Sequence, residues 1–362
     1  MKVLLVGDYP PPSGGIATHV EQLHRWLLSR GVQSKVLDVG KGAHSGKGVV
    51  PARGWIRYAL QLLQFAARGW LPHAHVSGDN RNSWLVIASV VVAARLFGRR
   101  PLVTLHSGFL PSSLPQTPAR RRLARAVLAR CGRVIAVSEA IREALEALGA
   151  PAHQVAVYPA FLASQARPGL PPNGFGAVRS SCRPLLAMAD HPSPIYGRRI
   201  AYQALKLIAR DFPSVGLSLF GPGPRCETAK AEALADGVAG RVHDFGELEQ
   251  PAVLGVMSRC DVFLRPTTGD GDSLSVREAL ALGVRCVASD ASVRPPGALL
   301  FRCGDGVDLA RKIRRALAEP SPIARPVDVG PVLLAEYQRS FSFRRLPRFG
   351  GASARRKLLG SR

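Results

Sequence analysis

Short apolar runs alternate along this chain with segments of helical spacing. Val3-Leu4-Leu5-Val6 is uninterrupted by polar residues, the pattern of a strand buried on both faces of a parallel sheet. Ile16, Val20, Leu23 and Leu27 then recur on one helical face up to Ser29, and Gly31 stops the helix. The same alternation predicts strands at 36–39, 74–76, 102–105, 133–137 and 155–158. It predicts helices at 54–71, 84–97, 120–131 and 139–148, the last capped by Ser138 and ended by Gly149. Arg167 to Gly174 is rich in Pro and Gly and reads as a linker. Beyond it the alternation restarts, with strands at 185–188, 215–220, 242–245, 261–266, 284–290 and 299–301. Helices are expected at 199–210, 227–236, 251–260, 307–317 and 331–339, and another between the strands at 261 and 284.

Strands that alternate with helices imply parallel, helix-covered sheets. Two such sets imply an α/β chain of two Rossmann-like domains facing across a cleft. The expected division is 1–165 for the first domain, 166–183 for the linker and 184–341 for the second. Residues 342–362, with seven basic residues and no acid, are expected to be a disordered tail.

Composition narrows the picture. With 362 residues and 46% hydrophobic content, the chain can fill two ordinary cores. Six cysteines are scattered without a Cys-x-x-Cys pair, which argues against a zinc or disulfide framework. The amino terminus turns acidic at Asp8, too soon for a signal peptide, and the apolar run from Val86 to Phe97 is too short to span a bilayer. A cytoplasmic protein is expected, peripheral at the inner face of the membrane if its charge finds lipid there.

The net charge of +24 is unevenly spread. Residues 1–170 carry 21 Lys and Arg against 7 acids, and residues 171–341 carry 21 against 18. An anionic partner fits, such as a membrane surface, an acidic acceptor or nucleic acid. A simple bias toward Arg and Ala is the bland alternative. The helix at 54–71, with Trp55, Ile56, Leu60, Leu63 and Trp70, fits either a membrane surface or a sheet. No helix-turn-helix, RNP or zinc-finger pattern is present, so specific nucleic-acid binding is not expected.

Three stretches carry candidate chemistry. After the first strand, Tyr9-Pro10-Pro11-Pro12-Ser13-Gly14-Gly15 leads into a helix, placing glycine amides and a helix N-terminus where a phosphate can dock. His106 stands just past the strand at 102–105, where open parallel sheets bind ligands. Thr267 to Gly283 joins a Gly-rich acidic loop to a helix, with Asp270 and Glu278 eight residues apart. Loop amides suit phosphates, and a carboxylate in the helix suits sugar hydroxyls.

These stretches, with Ala136-Val137-Ser138-Glu139, make the chain resemble a family-4 glycosyltransferase of the GT-B fold from residue 1 to about 320. This is a retaining class that includes bacterial polysaccharide-building enzymes. The resemblance implies that Gly14 and Gly15 lie near the donor diphosphate and that His106 approaches the transferred sugar. It makes Asp270 the sugar-contacting acid and Glu278 the ribose-binding one, with the amides of Asp272, Ser273 and Leu274 meeting sugar and phosphates. It implies a nucleotide-diphosphate sugar as donor and a glycan or lipid-linked acceptor held by loops near 41–53 and 107–120. No cofactor and no metal are expected.

Two departures stand out. The first acid is Asp, where the family usually has Glu. The Arg and Lys that commonly neutralise the diphosphate have no clean match between Met188 and Gly197, and Tyr196 stands where Lys is usual. Arg198, Arg199 and Arg265 are the candidate substitutes, with Arg265 preferred because it ends a strand at the cleft. A non-catalytic binding or scaffold protein of the same fold is the alternative these departures raise. A dinucleotide oxidoreductase is disfavoured by the missing Gly-x-Gly-x-x-Gly after the first strand.

Overall fold

The apolar run at the amino terminus forms the first strand of a seven-stranded sheet in which every pairing is parallel. The computed structural model describes residues 1–362 apart from Ser13, Lys41, Pro115, Gln116, 222–226, 321–327 and 343–362. The first domain runs β1 (Lys2–Gly7), α1 (Gly15–Ser29), β2 (Gln33–Asp38), β3 (Val49–Pro51), α2 (Trp55–Ala67), β4 (Leu71–Val76) and α3 (Arg81–Leu96). It continues β5 (Leu102–Leu105), α4 (Pro118–Leu128), β6 (Arg133–Ala136), α5 (Glu139–Leu148) and β7 (Val155–Val157). The strand order β3-β2-β1-β4-β5-β6-β7 reverses between β1 and β4, and such a reversal opens a crevice at the carboxyl ends of the strands.

The second domain follows the same plan. It runs α6 (Phe175–Ser181), β8 (Leu185–Ala189), α7 (Arg198–Ile208), β9 (Gly216–Phe220), α8 (Glu227–Ala235), β10 (Val242–Asp244) and α9 (Gln250–Met257). It continues β11 (Val262–Arg265), α10 (Leu274–Ala281), β12 (Arg285–Ser289), β13 (Leu299–Phe301), α11 (Gly306–Ala318) and α12 (Gly330–Ser342). Its parallel order, β10-β9-β8-β11-β12-β13, reverses between β8 and β11. The fold is therefore two parallel-sheet Rossmann-like domains, as the alternation predicts.

Side-chain alternation in β1 shows why the runs must be wholly apolar. Leu4 and Val6 enter the layer of Tyr58, Leu62, Val90 and Ile141, from α2, α3 and α5. Val3 and Leu5 enter the opposite layer with Val20, Leu23 and Trp26 of α1. Each fully buried aliphatic side chain contributes about 1.5–3 kcal/mol relative to exposure, so a polar residue at any of these positions is excluded.

Three local expectations are corrected. The short strand β3 has only Val49 and Val50 as its apolar signal, too few for a pattern. Residues 175–181, assigned to the linker, form α6, which starts from Gly174 at φ 83° and buries Phe175 against Leu254, Met257 and Phe263. Two helical turns are too short for periodicity to show. The third correction changes the domain division. α12 packs on the first domain, not the second.

There Leu333 and Tyr337 share a core with Trp26, Leu102 and Ile135. The Tyr337 hydroxyl is hydrogen-bonded to His73 Nδ1 at 2.6 Å. Glu336 accepts from the Tyr158 hydroxyl at 3.0 Å and pairs with Arg133 at 2.9 Å. Residues 329–342 thus complete the first domain. An amphipathic pattern shows that a helix needs a core to cover, not which core. Ser342, assigned to the tail, ends this helix; the remaining tail residues, 343–362, lie outside the described residues.

Tyr337→Phe leaves the buried His73 nitrogen without its partner. Urea unfolding is expected to show a loss of about 1–3 kcal/mol, with nucleotide affinity unchanged. An equal loss of nucleotide affinity would contradict a purely structural role for α12.

Candidate active site

The carboxyl ends of both sheets face one cleft of about 630 Å³. From the first domain it is lined by Pro12, Gly14 and Gly15 after β1 and by His106 to Phe109 after β5. From the second it is lined by His191, Ser193, Ile195, Tyr196, Arg265, Gly269 to Ser275 and Glu278. Gly14, Gly15, His106, Arg265, Asp270, Asp272, Ser273, Leu274 and Glu278 therefore meet in one place, although up to 264 positions separate them in sequence.

Gly14 and Gly15 cap and open α1, and a Cβ built at either position meets nothing within 4 Å among the described residues. Packing does not demand glycine there. The open space that the absent side chains leave belongs to the cleft. Gly108 and Gly271 are the opposite case. A Cβ on Gly108 would run into the Asp270 carbonyl, and one on Gly271 into the His106 carbonyl. The two glycines let the β5 loop of one domain touch the β11 loop of the other.

Asp270 is the most connected group in the cleft. Its Oδ2 accepts from Arg265 Nε at 2.9 Å, from Arg294 Nη1 at 2.8 Å and from Thr267 Oγ1 at 3.3 Å. Burial alone would raise its pKa, but the two guanidinium groups outweigh it and hold the carboxyl well below the usual range. The aspartate is therefore an anion locked between two cations. Arg294 also donates to the Ser289 carbonyl at 3.0 Å and to Thr267 Oγ1 at 2.9 Å. Sequence reading did not find Arg294. It lies 24 positions beyond Asp270 in a Pro-containing loop, and no local pattern points to it.

The three arginine candidates separate cleanly. Arg265 lines the cleft, with its guanidinium carbon 5.1 Å from the centre of the Tyr196 ring. That ring stacks in turn on His191, 5.0 Å away. A flat guanidinium on an aromatic face is held in one plane, so Tyr196 orients the cation from the position where the family carries one. Arg198 is not brought to the cleft. It turns back to Asp190, with Nη2 to Oδ2 at 2.8 Å, and reaches Glu232 at 3.3 Å, because the buried Asp190 carboxylate needs a counter-charge. Arg199 is 72% exposed and lies 3.7 Å from Asp236. The expectation that these two serve the donor is corrected on geometry.

Asp272 accepts from Arg277 Nε at 2.6 Å and, across the domain interface, from the Ala160 amide at 2.9 Å. Ser273 precedes the first turn of α10, so the amides of 272–274 sit at a helix N-terminus. Glu278, on the same helix, is 2% exposed. Its Oε1 accepts from Gln250 at 2.6 Å and from Gln22 of α1 at 3.1 Å. Burial pushes its pKa up to about 8, against the opposing effect of the two amide donors.

His106 backs onto a cluster of imidazoles. Its Nε2 is 3.3 Å from His75 Nδ1, and the His19 ring centre is 5.5 Å away. Burial and the neighbouring His19 and His73 lower its pKa well below the ordinary value, so it is a neutral ring at pH 7. A second cavity, about 710 Å³, continues from the cleft within the first domain. The two share Pro12, Gly14, Gly15, Ile16 and Ser77. Asp8, Tyr9, Gly40, Trp55, Tyr58 and Asn80 line its far side.

Comparison with known proteins places this geometry. Residues 13–162 match Glycosyltransferase Family 4, and residues 185–319 match Glycosyl transferases group 1. A 2-deoxystreptamine glucosyltransferase from Streptomyces kanamyceticus is 26% identical over 315 residues, 78% of each chain. The Anabaena protein HepE, solved in complex with UDP-glucose, superposes with a TM-score of 0.69 at 18% identity, covering 94% of this chain and 99% of that one. The lipopolysaccharide outer core galactosyltransferase WaaB, in its apo form, gives 0.59 at 14% identity, covering 94% and 99%. The chain is a glycosyltransferase of the GT-B fold, with a family-4 domain in its first half and a group 1 domain in its second.

Proposed function

We propose that this glycosyltransferase moves a sugar, with retention, from a nucleotide-diphosphate donor to a hydroxyl of a glycan or lipid-linked acceptor. The setting is cell-surface polysaccharide synthesis at the cytoplasmic face of the membrane. The observation that carries the reading is the convergence of Glu278, the α10 amides and Arg265 on one wall of the cleft, with Gly14, Gly15 and His106 opposite. HepE, solved with UDP, with UDP and glucose, and with UDP-glucose, supports a nucleotide sugar as the donor. UDP-glucose is the first one to test. WaaB, named for lipopolysaccharide, supports a glycan acceptor.

In this reading Glu278 takes the ribose hydroxyls, which donate to its carboxylate once Gln22 and Gln250 yield. The diphosphate lies against the amides of Asp272, Ser273 and Leu274 and against Arg265. These fixed dipoles and one fixed cation stabilise the negative charge that builds as the sugar–phosphate bond breaks. Asp270 faces the transferred sugar from the cleft wall, while its Oδ2 holds Arg265 and Arg294 in place. The neutral His106 ring approaches the transferred sugar as a hydrogen-bonding partner and carries no charge into the step. The leaving phosphate accepts the acceptor's proton, so no protein base is assigned. The step uses no cofactor and no metal. The acceptor occupies the second cavity, beyond Gly14 and Gly15.

Three measurements test this assignment. Gly15→Val should unfold like the parent yet raise the KM for the donor at least about tenfold, because its side chain enters space that only the ligand uses. Arg265→Ala should lower kcat/KM for UDP-glucose by about 10²–10³; turnover within a few-fold of the parent's would remove it from the diphosphate site. The third rests on Glu278, whose folded pKa is about 8 against an ordinary 4.5. Ribose hydroxyls require its ionised form, so UDP affinity should rise by roughly tenfold from pH 6.5 to 8.5, and the rise should vanish in Glu278→Gln. Stability should move the other way. The proton that the folded state holds more tightly is lost as pH rises from 4.5 through 8, so unfolding free energy falls over that range and Glu278→Gln flattens it.

A further inference from the structure

We propose that the outer face of the layer formed by α2, α3 and α4 is a docking surface for an anionic lipid bilayer. On α2, Ile56, Leu60 and Leu63 follow one another at i, i+4 and i+7 and form a single stripe. Ile56 is 80% exposed and Leu60 65%. On α3, Val92 and Leu96 continue the pattern at 57% and 67%, and on α4 Leu123 is 64% exposed. These are not core faces turned outward. Tyr58, Leu62 and Phe65 of α2, with Val90 of α3 and Leu128 of α4, already fill the core beneath. The three helices neighbour one another in the layer on one side of the sheet, so their exposed apolar side chains lie on the same side of the domain.

Charge identifies what covers that surface. From Val39 to Ser138 the sequence holds fifteen Lys and Arg against one acid, Asp79. No acid occurs in α2, α3 or α4, while Arg57, Arg81, Arg120 and Arg122 are exposed on them. A second copy of the chain would bring like charges together. Nucleic acid would satisfy the arginines but give Ile56, Leu60 and Leu96 no apolar partner. A bilayer with anionic headgroups meets both needs, with acyl chains for the stripes and negative charge for the arginines. No described helix is long and apolar enough to cross a membrane, so contact is at the surface.

Docking on this face has a consequence for the site. Gly54, Trp55 and Tyr58, at the first turn of α2, form one wall of the second cavity. The face therefore holds that cavity at headgroup level, where a lipid-linked acceptor presents its sugar. This consequence rests on the acceptor assignment above; the docking surface itself does not.

The test is co-sedimentation of the full chain with vesicles of phosphatidylcholine alone, or with about a third phosphatidylglycerol, at about 0.1 M and about 0.5 M salt. Binding is expected with the anionic vesicles, weakened at high salt. The double substitution Ile56→Ser, Leu60→Ser should reduce it by about tenfold while leaving a UDP-induced thermal shift intact, because both side chains face solvent. Failure to bind anionic vesicles at low salt, or equal binding by the double variant, would overturn the proposal. So would duplex DNA or a soluble acidic protein that competes fully with the vesicles. Loss of the UDP shift in the parent would instead count against the donor assignment and leave the lipid result to be judged alone.

Discussion

A buried carboxylate between two guanidinium groups is the constraint on which the cleft depends. Asp270 lies in a Gly-rich loop that has little rigidity of its own. Arg265 reaches it from the end of β11 and Arg294 from the loop after β12. Removing the carboxylate would leave two buried cations facing each other uncompensated, which costs about 3–5 kcal/mol, so the three side chains stay together. Their mutual hold fixes the loop, and the loop fixes the amides at the start of α10. The departure from Glu to Asp fits this arrangement. The shorter side chain keeps its carboxylate close to the strand ends, within reach of both arginines.

The same region joins the domains. Gly108 and Gly271 allow two backbones to touch, Asp272 accepts the Ala160 amide, and Gln22 of α1 reaches Glu278 of α10. Each contact uses a group that also faces the cleft. Ligand binding and domain contact therefore draw on the same atoms, and a donor that occupies Glu278 must compete with Gln22 and Gln250 for its oxygens. α12 adds a second tie, returning from the end of the second domain to complete the core of the first.

Much of this was legible because it is local. The apolar runs mark strands since both faces of a parallel sheet are buried, and the helical spacing between them marks the crossovers. The Gly-Gly loop, His106 after β5, and the Asp270–Glu278 stretch show in sequence because each sits at the end of a predicted strand. Arg198 and Arg199 were reasonable on position alone, yet a helix N-terminus does not reveal which way a long side chain turns. Buried Asp190 decided it for Arg198. Arg294 could not be found this way, since nothing near it in sequence marks it as the partner of Asp270.

The sequence by itself determined the two α/β domains, the alternation of elements and the identity of the loops that meet at the cleft. These follow from periodicity and turn chemistry, which act over a few residues. Only the tertiary structure decided that α12 belongs to the first domain, that Asp270 is committed to two arginines, and that Tyr196 orients Arg265. It also decided that the apolar stripe of α2 faces outward while its other face fills the core. Those outcomes depend on which distant surfaces compete for the same apolar face or charge, and that competition is settled in space, not along the chain.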